Sequence, residues 1–319
     1  MSKIEFINPQ SGNILVEKAD GLYDNEHSFK KENGVYKFVK SEGYTSNFGF
    51  QWKKFKKTQL DKFSGLSYSK DRFFAASGWS KEELDNKNVL EVGCGAGRFT
   101  QILIDYTNAN LYSLDYSEAV EANFENNGPN ERLQIFQASV YEMPFKDETF
   151  DYVFCFGVLQ HTPDIQKTIY NLQRVLKKGG TLVVDFYPYK GFYTLISAKY
   201  IFRRFTKKMD SKRLLNLITK NVDWMISLSK FLSKIKLGFL NRFVPICDIT
   251  GTLPDNLNKE ELKEWVILDT FDMFSPEFDQ PQKISNVKKH FENNGLKVQF
   301  AGFKNYTHNR TVATVKGLK

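Results

Sequence analysis

The chain has 319 residues, 41% of them hydrophobic and 26% charged, with a formal net charge of +8. That length holds one large domain with an insertion, or two domains, and the composition excludes a disordered or collagen-like chain. Its three cysteines, Cys94, Cys155 and Cys247, form no C-x-x-C pair, so neither a disulfide framework nor a cysteine-built zinc site is expected, and free thiols suit a reducing cytosol. The start of the chain lacks the apolar core of a signal peptide, and no apolar run approaches the length of a membrane span, so a cytoplasmic protein is expected.

Residues 1–40 are polar and turn-rich, with Asn8-Pro9, Ser11-Gly12 and Asn33-Gly34 as turn signals. Ile14–Val16 and Val35–Val39 read as weak hairpin strands of a small appendage without a core of its own. Residues 41–80 are aromatic. Trp52, Phe55, Gln59 and Phe63 fall on one helical face, and a second helix is expected from Lys70 to Gly78. Core packing and a pocket role both suit these aromatics.

From residue 88 strands and helices alternate, which predicts a parallel sheet with right-handed crossovers. Strands are expected at 88–93, 110–115, 133–138, 151–156 and 181–186. Between them lie a helix at about 97–106, one capped by Ser117 and ended by Gly128-Pro129, and one starting at Thr162-Pro163. Ile165, Ile169, Leu172 and Leu176 keep one face of that last helix, and Gly179-Gly180 stops it.

Residues 188–260 break the alternation and read as helical, with Met225, Leu228, Leu232, Ile235 and Phe239 at helical spacing. From Lys190 to Arg242 there are thirteen Lys or Arg against two acidic residues, a local surplus of +11, so the rest of the chain is slightly acidic. Residues 261–319 return to the sheet: a helix at about 283–293, then strands 296–303 and 311–316, whose short link suits an antiparallel pair.

The chemistry is read first from Asn88–Thr100. A short apolar strand ends in Glu91-Val92-Gly93-Cys94-Gly95-Ala96-Gly97 and runs into a helix, so backbone can approach a ligand closely. Asp115 ends the next strand, where an acidic side chain can accept from ribose hydroxyls. The spacing is not G-x-G-x-x-G, and no phosphate-loop Lys follows. Glu91 beside the turn suits a cationic ligand part, such as an aminoacyl nucleoside with a sulfonium.

On these residues the chain resembles the class I S-adenosylmethionine-dependent methyltransferases. Their first motif looks like Leu90–Gly97, and their ribose acid matches Asp115. Later motifs are similar to Gln137–Phe145, Phe150–His161 and Leu176–Gly180. The resemblance covers about residues 88–187. It implies an α/β, Rossmann-like, seven-stranded and mostly parallel sheet with an antiparallel last strand, a helical lid insertion and a small N-terminal appendage. It implies S-adenosylmethionine as cofactor, with Gly93, Cys94, Gly95 and Gly97 against its methionine part and ribose. Tyr116 and Val140 would meet the adenine, and Phe156 and Val158 would line the methyl side. Ser139 stands where the family usually has Asp, and a hydroxyl can still accept the adenine amine's bond.

The flanks resemble a narrower group of bacterial methyltransferases associated with glycan or secondary-metabolite synthesis, through Tyr44…Phe48…Gln51-Trp52, Thr58–Asp61 and Leu268–Pro276. Relatives often begin with a zinc ribbon. Asn8-Pro9-Gln10-Ser11-Gly12 stands at its Cys-Pro-x-Cys-Gly, so a metal-free remnant is expected.

The expected reaction is methyl transfer to a small-molecule or carrier-linked acceptor, at oxygen. A hydroxyl acceptor must lose a proton, and His161 is the candidate base, although capping or packing at the helix start also suits it. Tyr44, Trp52, Gln59, Gln160 and His308 are weaker candidates for acceptor contacts, with a surface loop the simpler role for His308. The basic insertion at 190–242 has three readings: a packed lid, a membrane-surface segment, or a recognition surface for an anionic acceptor. No nucleic acid is expected, because Trp224, Phe231 and Phe239 lie in apolar-periodic helices. A non-catalytic cofactor binder and a methyltransferase acting on RNA or protein remain the alternatives.

Overall fold

A computed structural model describes residues 4–39, 43–307 and 310–319. The N-terminal segment is built from short antiparallel strands: β1 (Phe6–Ile7), β2 (Ile14–Lys18), β3 (Gly21–Tyr23), β4 (Ser28–Glu32) and β5 (Val35–Lys37). Two turns face each other here. Asn8 Nδ2 donates to Asp24 Oδ2 at 2.7 Å, and Asp24 Oδ1 accepts from the N–H groups of Glu26 and His27. Hydrogen bonds between an amide and a carboxylate thus tie the two turns together.

Three helices follow: α1 (Ser46–Lys54), α2 (Asp61–Ser64) and α3 (Tyr68–Ser77). The expected continuous face from Trp52 to Phe63 does not form. Phe55 ends α1, and Asp61 begins a separate turn whose carboxylate accepts from the N–H groups of Ser69 and Lys70. That long-range cap fixes the break.

The alternating region contains β6 (Asn88–Val92), α4 (Arg98–Tyr106), β7 (Asn110–Asp115), α5 (Ala119–Asn127), β8 (Leu133–Gln137), β9 (Phe150–Cys155), α6 (Ile165–Arg174) and β10 (Leu176–Phe186). Strands β5 to β10 pair in parallel across the order β5-β8-β7-β6-β9-β10. Alternate side chains enter different cores. Leu90, Tyr112, Val153 and Val184 lie in one, and Val89, Leu111, Phe154 and Val183 in the other. A sheet buried on both faces explains why its strands are apolar throughout. Each large side chain so buried stabilises the fold by about 1.5–3 kcal/mol.

Two helix starts differ from expectation. Ser117 stands one residue before the N-cap of α5, Glu118; its N–H and Oγ donate to Asp115 Oδ1, and its Oγ accepts from Ala119 N–H at 3.3 Å. Thr162 donates its hydroxyl to Leu159 O, and Asp164 is the N-cap of α6, accepting from Lys167 N–H at 2.9 Å. Leu176 belongs to β10, which contains Gly179-Gly180 as an irregularity in its pairing with β9.

The insertion consists of α7 (Phe192–Leu195), α8 (Ala198–Thr206), α9 (Ser211–Lys234), α10 (Ile249–Thr252) and α11 (Lys259–Phe274). The chain resolves into two compact units, Met1–Pro188 with Phe278–Lys319, and Tyr189–Glu277. The second unit therefore runs past residue 260. Within it Arg203 donates to the carbonyls of Met273 and Pro276, holding α8 to the end of α11. No helix among the described residues is long and apolar enough to cross a membrane.

In the first unit α12 (Ile284–Asn293) precedes β11 (Lys297–Thr307) and β12 (Arg310–Leu318). β12 runs antiparallel to both β10 and β11. The order is β1-β2-β3-β4-β5-β8-β7-β6-β9-β10-β12-β11. Its last seven members are the expected α/β sheet. The N-terminal segment is no separate appendage, because β5 joins β8 in parallel.

Candidate active site

Parallel strands bring their C-terminal ends to one rim. At β6 the chain leaves through three glycines with left-handed backbone, Gly93 (φ +81°), Gly95 (φ +51°) and Gly97 (φ +88°). A Cβ on Gly93 would come 2.1 Å from Val158 Cγ2, and one on Gly95 would come 3.1 Å from the Trp52 indole nitrogen. The turn is therefore packed from both sides, by the loop after β9 and by α1. Gly93 and Cys94 donate to Leu114 O, and Gly95 N–H donates to Asp115 Oδ2 at 2.9 Å. Asp115 Oδ1 takes the N–H and hydroxyl of Ser117. Burial pushes this carboxyl above its ordinary pKa, while those bonds oppose the rise.

Glu91 is 2% exposed and accepts from the hydroxyls of Thr100 and Ser113. Burial lifts its pKa to about 7. It braces the turn from below: Asn123 links Thr100 onward to α5. Its expected position facing a cationic ligand is replaced by this support. Cys94 is buried, and its thiol is pushed well up by burial.

At the end of β8, Ser139 Oγ accepts from Tyr141 N–H at 3.1 Å, which leaves one acceptor lone pair, and Val140 is buried. Tyr116 pairs with Tyr44 at 5.4 Å, and Tyr44 meets the Phe278 ring edge-on at 5.4 Å. Phe156 is a core residue, packed edge-on against Phe99 and tilted against Phe73 and Phe154, with 5% of its surface open.

His161 is 6% exposed, between the rings of Phe48 and Tyr187. Its Nδ1 lies 2.9 Å from Phe278 O. A carbonyl only accepts, so Nδ1 carries the proton, and Nε2 is the basic nitrogen of the neutral ring. Gln160 is not placed for an acceptor. It is fully buried, donates to Gly157 O and accepts from Tyr187 N–H. Gln59 accepts from Arg98 Nη1 at 3.1 Å. His308 lies outside the described residues.

Sequence reasoning missed Arg72 and Asp185. Arg72 Nη2 pairs with Asp185 Oδ2 at 2.7 Å, and Asp185 Oδ1 accepts from Gly157 N–H. Asp185 raises the Arg72 pKa, against the effect of burial. These partners lie 113 residues apart, beyond any local signal, although a lone Asp in the apolar run of β10 was the visible cue.

A glycine turn held to the next strand's acid, with aromatic rings on the rim, fits an adenosyl group with an amino-acid arm. The sheet is α/β and Rossmann-like, and the site is similar in arrangement to that of the class I S-adenosylmethionine-dependent methyltransferases. Residues 90–184 match the family described as a methyltransferase domain. Over 131 residues the chain is 33% identical to a ubiquinone biosynthesis O-methyltransferase of Coxiella burnetii, covering 39% of this chain and 55% of that protein. It is also 33% identical, over 104 residues each, to a tRNA U34 carboxymethyltransferase of Nautilia profundicola and a sterol 4-C-methyltransferase of Caenorhabditis elegans. Those matches cover 32% of this chain and 35% of the first protein, and 31% of this chain and 31% of the second. The chain thus spans about half the length of the ubiquinone enzyme. The names of these relatives differ in the acceptor they specify.

Proposed function

We propose that this protein transfers a methyl group from S-adenosylmethionine to a hydroxyl of a small-molecule or carrier-linked acceptor. The observation that carries the reading is the glycine turn bonded to Asp115. In it, Asp115 holds the ribose hydroxyls, Gly93 to Gly97 admit the methionine arm, and Tyr44 and Tyr116 cover the adenine. The bound donor supplies an activated methyl on sulfur. The chain's own work is alignment and exclusion of water. His161 takes the acceptor's proton at Nε2, a role supported by the Phe278 carbonyl that fixes its tautomer.

Calorimetry with S-adenosylhomocysteine, followed by transfer of radiolabelled methyl to candidate hydroxyl acceptors, tests this. The Asp115→Ala variant should lose S-adenosylhomocysteine binding by roughly tenfold or more. His161→Gln should keep binding and lose turnover by about 10²–10⁴-fold. Absence of binding by the native protein refutes the donor site, and binding with unchanged His161→Gln turnover refutes the base.

The acceptor is read as membrane-associated from one surface of the helical unit. On α9, Leu214, Ile218, Val222 and Met225 are buried, while Leu217, Trp224, Leu228 and Phe231 are exposed. At about 100° per residue the exposed stripe lies roughly 110° around the helix from the buried one. Phe205 on α8 is a further exposed apolar side chain, at 72% exposure, and the segment's +11 surplus suits anionic lipid. The protein should sediment with phosphatidylglycerol vesicles, release in salt, and ignore phosphatidylcholine. Phe231→Glu should weaken this while sparing S-adenosylhomocysteine binding. No sedimentation at low salt, or apolar self-association instead, would refute the lipid reading.

A further inference from the structure

We infer that Gln280 is a positioning residue for His161, the centre of a clasp at residues 278–282 that holds the imidazole with its proton on Nδ1. What the held ring does rests on the methyl-transfer reading; the hold itself does not. The clasp grips three consecutive residues of the turn after β9. Gln280 N–H donates to Gln160 O at 2.8 Å. Phe278 O receives the proton of His161 Nδ1, 2.9 Å away. Gln280 Nε2 donates to Thr162 O at 2.8 Å and to Pro163 O at 3.3 Å. Both of those acceptors are carbonyls, so the amide nitrogen has to face them, and the side chain has one orientation. Gln280 thus bonds both chain neighbours of His161, and the residue two before it bonds the ring.

The second ground is stiffness. Pro276 and Pro281 fix the backbone at two points, and Pro281 biases Gln280 before it away from helical backbone. The far end is tied as well: Gln282 N–H donates to Tyr187 O at 2.9 Å, and Gln282 Nε2 donates to Gln280 O at 3.0 Å. The Tyr187 ring stands edge-on to His161 at 5.7 Å, and the Phe48 ring lies 5.2 Å from it. These rings limit the tilt of the imidazole, but an aromatic ring does not select a tautomer as a carbonyl does. The Phe278 carbonyl makes that choice, and Gln280 keeps the clasp in the register that points it at Nδ1. The choice matters because neutral imidazole has two tautomers, and only the one with its proton on Nδ1 can accept a second proton at Nε2.

Nitrogen-15 spectra of the histidine rings test this without any acceptor. The chain has four histidines, and His161→Gln assigns the pair of signals that matters. At about pH 8, above the ordinary imidazole range, a fixed tautomer gives two well-separated ring-nitrogen signals, and exchanging tautomers draw them together. The variants are Gln280→Met, of similar length with no N–H to give, and Gln280→Lys, which keeps a donor. Turnover is read with the hydroxyl acceptor that the labelled-methyl screen returns. The native protein should show separated signals with the proton on Nδ1. Gln280→Met should draw them together and lower kcat roughly tenfold, while acceptor KM and S-adenosylhomocysteine affinity move by less than about twofold. Gln280→Lys should restore the separation and much of kcat.

A native ring protonated on Nε2 overturns the assignment. So does an unmoved His161 spectrum in Gln280→Met, including the case where only its denaturation midpoint falls, which marks a merely structural residue. A moved spectrum with kcat intact also overturns it wherever His161→Gln lowers kcat. If His161→Gln leaves kcat intact, the base reading falls, and the spectrum decides the clasp on its own. The spectrum likewise decides if no screened hydroxyl takes methyl. Should Gln280→Met fail to fold, Gln280→Glu, of the same length and without an N–H, is judged by the same comparisons.

Discussion

Glu91→Gln turns the buried acid beneath the glycine turn into a neutral amide of the same shape. Burial raises the Glu91 pKa from 4.5 to about 7. The folded state then holds the proton more tightly than the unfolded chain. The sign follows: stability from this group is complete below about pH 4.5 and is lost as pH rises through 7. At about 1.4 kcal/mol per tenfold change in proton affinity, the full swing is about 3 kcal/mol. Urea denaturation of the native protein and of Glu91→Gln at intervals from about pH 5 to 8 isolates it, because other titrations cancel in the difference. A constant offset from the amide's own bonds to Thr100 and Ser113 leaves the slope untouched. The native protein should lose about 2.5 kcal/mol of that swing relative to the variant across this range. A difference that stays constant within about 0.5 kcal/mol would refute the buried-acid argument.

Gly93→Ala should cost about 1–2 kcal/mol for the left-handed backbone and roughly 1–3 kcal/mol for the clash with Val158. Adding Val158→Ala should recover only the second part in a double-mutant cycle, and simple additivity would count against the close approach. Gln160→Ala should destabilise by about 1–3 kcal/mol, since it removes a buried amide with its bonds to the half-buried Gly157 carbonyl and Tyr187 N–H; a loss under about 0.5 kcal/mol in denaturation would return Gln160 to the acceptor candidates. The Asp24 carboxyl is held down at about 2, first by the Asn8 amide and then by the Glu26 N–H. Its contribution is present above about pH 4 and lost as pH falls through 2, so hydrogen exchange in β1–β3 should rise on acidification, and Asp24→Asn should flatten that response.

The parallel core was legible because each strand is apolar on both faces and each turn carries glycine or a capping residue. The strand Asn110–Asp115 and its terminal acid stand where the pattern puts them. What failed were places where a distant partner decides a local choice. Residues 52–63 have helical apolar spacing, yet Asp61 is claimed by backbone N–H groups eight and nine residues on. Ser117 suits a cap by composition, and its hydroxyl does accept from Ala119 N–H, but the helix boundary falls one residue later, at Glu118. Gln160 and Phe156 follow a functional-looking strand end, and burial turned one into a brace and the other into core. Arg72 carries no periodic signal. Its significance rests on Asp185, its partner 113 residues on.

The parallel pairing of β5 with β8 has a consequence for synthesis. Lys37 bonds to Gln137, 100 residues further along, so the early strand leaves the ribosome long before its partner exists. At about 5–20 residues per second that wait lasts on the order of 5–20 s. During it the Val35–Lys37 backbone and the Tyr36 ring, later stacked on Phe136 at 5.2 Å, have no sheet to join. In the finished protein the same strand covers the flank of β8 that would otherwise recruit another chain. Cutting it away would therefore leave a sticky border on an otherwise intact sheet, and the defect would register as clumping before it registered as lost S-adenosylhomocysteine binding.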